Sequence, residues 1–117
     1  MKKVIVDKSY KFALNSITLY RDLVQNKKEF VLSKQLLRSS TSIGANVEEG
    51  QSAISKKDFV SKNSIALKEA RETNYCLRLL KDSKLLDSKF KYLIDDSLEL
   101  KKILTAIVKT SQQSLKK

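Results

Sequence analysis

Three pairs of carboxylates stand close together along the chain: Glu48 with Glu49, Glu69 with Glu72, and Asp95 with Asp96. Helical bundles that hold two metal ions draw a Glu from several helices and normally Glu-x-x-His pairs. The sequence contains no His, so no metal site is expected, and no cofactor is implied. The same lack removes the general base that a Ser or Cys nucleophile needs. It also removes the Arg and His pairing used by RNA-cleaving helical bundles. Cys76 is the single cysteine; it falls beside an apolar helical stripe and reads as a buried structural thiol. No Gly-rich phosphate loop is present. The expectation is a protein that is not an enzyme.

What remains is the run from Arg38 to Gly50, RSSTSIGANVEEG, together with Glu69-Ala70-Arg71-Glu72-Thr73 further on. Arg38, Ser42, Asn46 and Glu49 recur at spacings of 4, 4 and 3, which places them on one helical face. Glu69, Glu72 and Cys76 share a face in the same way. Packed antiparallel, the two segments bring Arg38 near one acid and Asn46 near another, as a hydrogen-bonded layer between helices. Such a layer sets helix register and oligomer partner, as buried polar residues do in coiled coils. The competing reading, a ligand-binding groove, is the weaker of the two.

The elements that must carry this layer are legible in the composition. The chain has 117 residues, 41% of them hydrophobic, with no Pro and two Gly, at 44 and 50. A domain of this size buries roughly two-thirds of the surface its unfolded chain exposes, enough for a core without disulfides or metal. The absence of Pro and near absence of Gly argue against a turn-rich β fold and for long helices. One cysteine leaves nothing that requires an oxidising compartment. The longest apolar runs are three residues, far below the roughly 20 that span a bilayer. No export segment is expected after Met1, and the predicted location is cytoplasmic.

Periodicity predicts an all-α chain, one domain over 1–117, with helices over about 7–25, 33–52, 56–81 and 88–111 and a frayed tail over 112–117. Asp7 or Ser9 caps the first helix. That helix shows two stripes: Tyr10, Ala13/Leu14, Ile17, Tyr20/Arg21 and Val24 form one, and Phe12, Leu19 and Leu23 form a second, an excess that points to deep burial or a second protein contact. Phe30, Val31 and Leu32 pack where the second helix begins. In that helix Ser, Gly and Ala make a groove that lets a neighbouring backbone approach, and Gly50 supplies a left-handed residue near its end. Ser55 and Asp58 form a capping-box variant for the third helix. Its inner stripe runs Phe59, Asn63, Ala66, Ala70, Thr73, Leu77 and Leu80. Asp87 or Ser88 caps the fourth. Short connections then give an antiparallel up-down-up-down bundle.

Charge is the strongest signal for a partner. Lys and Arg number 24 against 13 Asp and Glu, a net +11. By segment the balance is +5 over 1–34, 0 over 35–60, +3 over 61–86 and +3 over 87–117. The blander account of the surplus is a soluble lysine-rich surface; the functional one is an anionic partner, with nucleic acid the usual choice. Arg occurs only at 21, 38, 71 and 78, so binding is expected through hydrated Lys charges to the backbone, with little sequence preference. Lys8, Lys11, Lys89, Lys91, Lys101, Lys102 and Lys109 are the candidate phosphate contacts. A protein-docking scaffold is the alternative.

The run Arg38, Ser39, Ser42, Ile43, Asn46, Glu49 and Gly50, followed by Asp58-Phe59 and by IALKEARETNY over 65–75, closely resembles a family of four-helix-bundle proteins. That family includes proteins encoded within intervening sequences of bacterial large-subunit ribosomal RNA genes, and it extends to the accessory variability determinant of diversity-generating retroelements. The resemblance covers essentially the whole chain. Cys76 departs from it, standing where the pattern favours Trp after Tyr75. The resemblance implies a cytoplasmic bundle assembled as a ring-like homo-oligomer, typically a homopentamer. For the retroelement branch it implies a basic surface that binds nucleic acid and a reverse transcriptase as protein partner.

Overall fold

The computed structural model describes residues 4–116, and these form four α-helices with no strand among them. They are α1 (Val4–Gln25), α2 (Leu32–Gln51), α3 (Lys56–Asp82) and α4 (Tyr92–Leu115), with a 3-10 turn at Ser88–Phe90 ahead of α4. Each of α1 and α3 packs against both α2 and α4. The contacts between α2 and α3 run in opposite sequence order, from Ser39 with Thr73 to Gly50 with Asn63. Those between α3 and α4 do likewise, from Asn74 with Ser97 to Lys56 with Ser114.

Local chemistry accounts for the helix ends. The Ser55 hydroxyl accepts the Asp58 N–H at 3.0 Å, the capping arrangement expected for α3. Asp87 accepts the Lys89 N–H, but the chain makes a 3-10 turn there before α4 begins at Tyr92. Glu29 starts α2: its carboxylate accepts the N–H groups of Val31, Leu32 and Ser33, orphan donors of the first turn. Lys28 and Lys84 take left-handed backbone with φ of 56° and 65° where helices end, a place that glycine usually fills. After α3 the Leu85 N–H returns to the Leu80 carbonyl and the Lys84 N–H to Lys81, closing a Schellman turn on a lysine.

Five expectations are corrected. The helix α1 begins at Val4, so Asp7 lies inside its first turn and Ser9 is buried against the neighbouring helix rather than capping. The stripe of Phe12, Leu19 and Leu23 is the core face of α1, while Tyr10 and Leu14 are 59% and 51% exposed. The reason is that Ser9 and Ser16, both fully buried, complete the core face, and serine adds packing without adding hydrophobicity. Phe30 and Val31 are exposed and only Leu32 tucks toward the core. Gly50 is helical, with no glycine at positive φ; it is small because a Cβ there would meet the Asn63 amide at 3.0 Å. Finally, α4 continues helical to Leu115, through most of the segment expected to fray.

The small-residue groove of α2 is present at Gly44, where an added Cβ would lie 3.4 Å from the Ser9 carbonyl oxygen of α1. Around it Leu36, Ile43, Val47, Leu77, Leu93 and Leu104 are fully buried and make the centre of the core. Phe59 is half-buried at the edge of the α3 stripe.

Candidate functional site

The motif faces of α2 and α3 meet. Arg38 donates from Nη2 to Glu72 Oε1 at 2.6 Å and from Nη1 to Glu69 Oε2 at 3.2 Å. The two acids lie one helical turn apart, so a single guanidinium fork spans both. Their settings differ: the Glu69 side chain is 10% exposed and the Glu72 side chain 49%. The Glu69 carboxyl and then the Arg38 guanidinium hold the Glu72 carboxyl below its ordinary value. Hydrogen bonds to the same two acids raise the Arg38 guanidinium.

The rest of the expected layer is arranged differently. Asn46 donates to the Ser42 carbonyl at 2.8 Å and reaches no acid on α3; the Ser42 hydroxyl returns to the Arg38 carbonyl at 2.6 Å. Glu49 pairs with Lys62 of α3 at 3.1 Å. Deeper contacts that the spacing did not single out complete the layer. Thr73 donates to Ser39 Oγ across α2 and α3 at 2.8 Å, and Asn74 donates to Ser97 Oγ across α3 and α4 at 3.0 Å. Thr73 and Asn74 are adjacent in sequence and so point about 100° apart, toward different neighbours. Polar residues at core-stripe positions were the available signal for both.

Cys76 is buried, and its thiol donates to the Leu32 carbonyl at 3.5 Å. Burial, followed by the charges of Glu29 and Glu72, pushes this thiol up to about 11. Among the described residues no group of three or more Cys, Asp or Glu is placed to hold a metal ion.

The candidate lysines separate into two groups. Lys8 and Lys11 line a cleft of about 310 Å³ between α1 and α4, together with Asp96 and Glu99. Lys8 is tied to Glu99 at 3.1 Å. Burial first, and then Glu99, raise the Asp96 carboxyl above its ordinary value. That cleft is therefore of mixed charge. Lys89, Lys91, Lys102 and Lys109 are exposed and Lys101 is half-exposed, and none is in an ion pair among the described residues. Lys89 lies over the Phe90 ring at 5.4 Å. Among the described residues no helix is long and apolar enough to cross a membrane.

A family model described as 23S rRNA-intervening sequence protein matches residues 1–106. A crystal structure of a protein of unknown function from the S23 ribosomal protein family of Bacteroides thetaiotaomicron VPI-5482 is 47% identical to this chain. It superposes with a TM-score of 0.87, covering 92% of this chain and 96% of its own. No curated protein matches the chain.

Proposed function

The chain belongs to the 23S rRNA-intervening sequence protein family, and we propose that it is a non-enzymatic, cytoplasmic bundle that binds nucleic acid through backbone electrostatics, with little sequence preference. The observation that carries this reading is the cationic outer side of α4 and its approach, where Lys89, Lys91, Lys102 and Lys109 stand exposed and unpaired among the described residues. A net +11 on 117 residues supplies the long-range attraction. Lys8 and Lys11 contribute less, because the acids of the α1–α4 cleft offset them. A salt titration of binding to mixed RNA and DNA oligomers tests the reading. Affinity that falls steeply and log-linearly with salt is the expected result; no binding at low salt, or binding indifferent to salt, refutes it.

We further propose an up-down-up-down bundle that assembles as a ring-like homo-oligomer, a pentamer in the form the resemblance suggests. The charges of Arg38, Glu69 and Glu72 pair within one chain, so the part we give this cluster is register. The face we assign to assembly is the outer stripe of α1, where Tyr10 and Leu14 are more than half exposed. Light scattering on Leu14→Glu checks this: the expected mass drops toward the 13.3 kDa of one chain. A wild type already at that mass removes the ring. The same stripe is the specific ground for the second reading, a scaffold docking another protein such as a reverse transcriptase. Partners of that kind survive nuclease treatment in a pull-down from the native host; partners tethered by nucleic acid do not.

A further inference from the structure

Lysine charges attract a phosphate backbone but do not distinguish a duplex from a single strand. Unpaired bases offer flat apolar faces, and proteins that select single strands meet them with exposed aromatic rings set among cations. Tyr75 is such a ring. It lies on the outer face of α3 and is 56% exposed. Arg78, one turn on, sits over it with the guanidinium carbon 5.6 Å from the ring centre.

Arg78 is held in place from below. Its Nε donates to Asn74 Oδ1 at 2.9 Å, while Asn74 Nδ2 donates to Ser97 Oγ at 3.0 Å and Ser97 donates to the Ile94 carbonyl at 2.7 Å. Asn74 is 7% exposed and Ser97 fully buried, so an exposed guanidinium is anchored to the bundle interior. The remaining guanidinium nitrogens of Arg78 hold no protein partner among the described residues.

The same Asn74–Ser97 bond sets α3 against α4 on one side of the ring, while on the other side the ring borders a cleft with α2 lined by Arg38 and Glu72. Leu98, 43% exposed, follows Ser97 on the neighbouring surface of α4. Running antiparallel from that point, Arg71 of α3 comes level with Lys101 and Lys102 of α4, and Lys81 with Lys91. None of these five cations is in an ion pair among the described residues. Tyr75, braced by Arg78, thus lies on a face with cations toward both ends, which Asp95, one turn before Leu98 on α4, offsets only in part. The surplus of unpaired cations over Asp95 and Glu72 suits a polyanion on this face, and the exposed ring suits unpaired bases.

We infer that the outer α3–α4 face is a single-strand-selective nucleic-acid site, in which a base stacks on the Tyr75–Arg78 pair and the flanking cations hold the phosphates on either side. This rests on the nucleic-acid reading above and narrows it to a surface and a strandedness. The test is fluorescence anisotropy with the full chain, using a labelled mixed-sequence single strand and a duplex of equal length. The wild type binds the single strand more tightly than the duplex. Tyr75→Ala weakens single-strand binding roughly tenfold and leaves the slope against salt unchanged, because a stack and not a charge is lost. Tyr75→Leu gives the same loss, and circular dichroism shows both variants helical. Arg78→Lys keeps the charge and the slope but also weakens the single strand, since lysine cannot hold the Asn74 bond as a flat guanidinium does. A wild type that binds neither strand refutes the nucleic-acid reading altogether. Salt-dependent binding that ignores both Tyr75 variants, or shows no strand preference, overturns only this inference. A change in mass by light scattering on Tyr75→Ala, with affinity intact, assigns the face to subunit contact and also overturns it.

Discussion

Arg38 holds two carboxylates of unequal exposure, and they do not matter equally. The pair with Glu72 is open to water and contributes at most about 1 kcal/mol. The Glu69 carboxyl is largely buried, and losing its donor leaves a charged group poorly satisfied. Arg38→Ala is therefore expected to lower stability by about 1–2 kcal/mol in urea denaturation. Adding Glu69→Gln to that variant should restore part of the loss, whereas adding Glu72→Gln should restore little. Glu29 makes a second case. Burial alone would raise its carboxyl, but the N–H groups of Leu32, Ser33 and Val31 outweigh burial and hold it below the ordinary 4.5. A carboxyl depressed in the folded state binds its proton less readily there than in the unfolded chain. Its contribution is present above pH 4.5 and is lost as pH falls through the lower folded value. Glu72 adds to this with the same sign, and Asp96, raised by burial, opposes it. The urea midpoint of the wild type should fall on acidification below that range, and Glu29→Gln should flatten the dependence. Cys76, with its thiol raised to about 11, should resist alkylation in the folded protein at mildly alkaline pH and react once urea unfolds it.

At the scale of the element, the two glycines of α2 are small for different reasons, and substitution separates them. At Gly44 an added methyl meets the Ser9 carbonyl at 3.4 Å, close to ordinary contact. Alanine there gains helix propensity, and Gly44→Ala should raise stability by about 0.5–1 kcal/mol. At Gly50 the methyl meets the Asn63 amide at 3.0 Å, and that amide is 1% exposed and already donates to the Phe59 carbonyl. It has nowhere to move, so Gly50→Ala should cost about 1–2 kcal/mol despite the same propensity gain. Thermal melts of the two variants decide the ordering; equal shifts would remove the distinction. On α1 polar residues decided which face is buried. Apolar residues alone counted in favour of Tyr10 and Leu14, while burial of Ser9 and Ser16 turned the helix the other way.

For the molecule as a whole, a net +11 imposes self-repulsion that added salt screens. The melting temperature should rise as salt increases from very low ionic strength. In the same range nucleic-acid affinity should fall, so salt moves stability and binding in opposite directions. A melting temperature that falls with salt would mean that ion pairs such as Lys8–Glu99 and Lys62–Glu49 outweigh the net repulsion. The charge is also divided between faces. The α1–α4 cleft sets lysines against acids, whereas the outer α3–α4 side keeps Arg71, Arg78, Lys101 and Lys102 free of ion pairs among the described residues.

Four helices, the Ser55 cap, the buried thiol and the meeting of Arg38 with an acid of α3 were all legible in the sequence. Each depends on local spacing: a period of 3.6, a cap three residues from its donor, or a shared helical face. Family membership was legible for the same reason, because its motif is a fixed spacing along two helices. The tertiary structure alone decided which stripe of α1 is core, that Asn46 bonds its own helix, that Gly50 makes room for Asn63, and which lysines are opposed by acids. Those outcomes depend on shapes and charges brought together from distant parts of the chain. A buried serine and a neighbouring helix's carboxylate leave no mark on the periodicity of the segment they act upon.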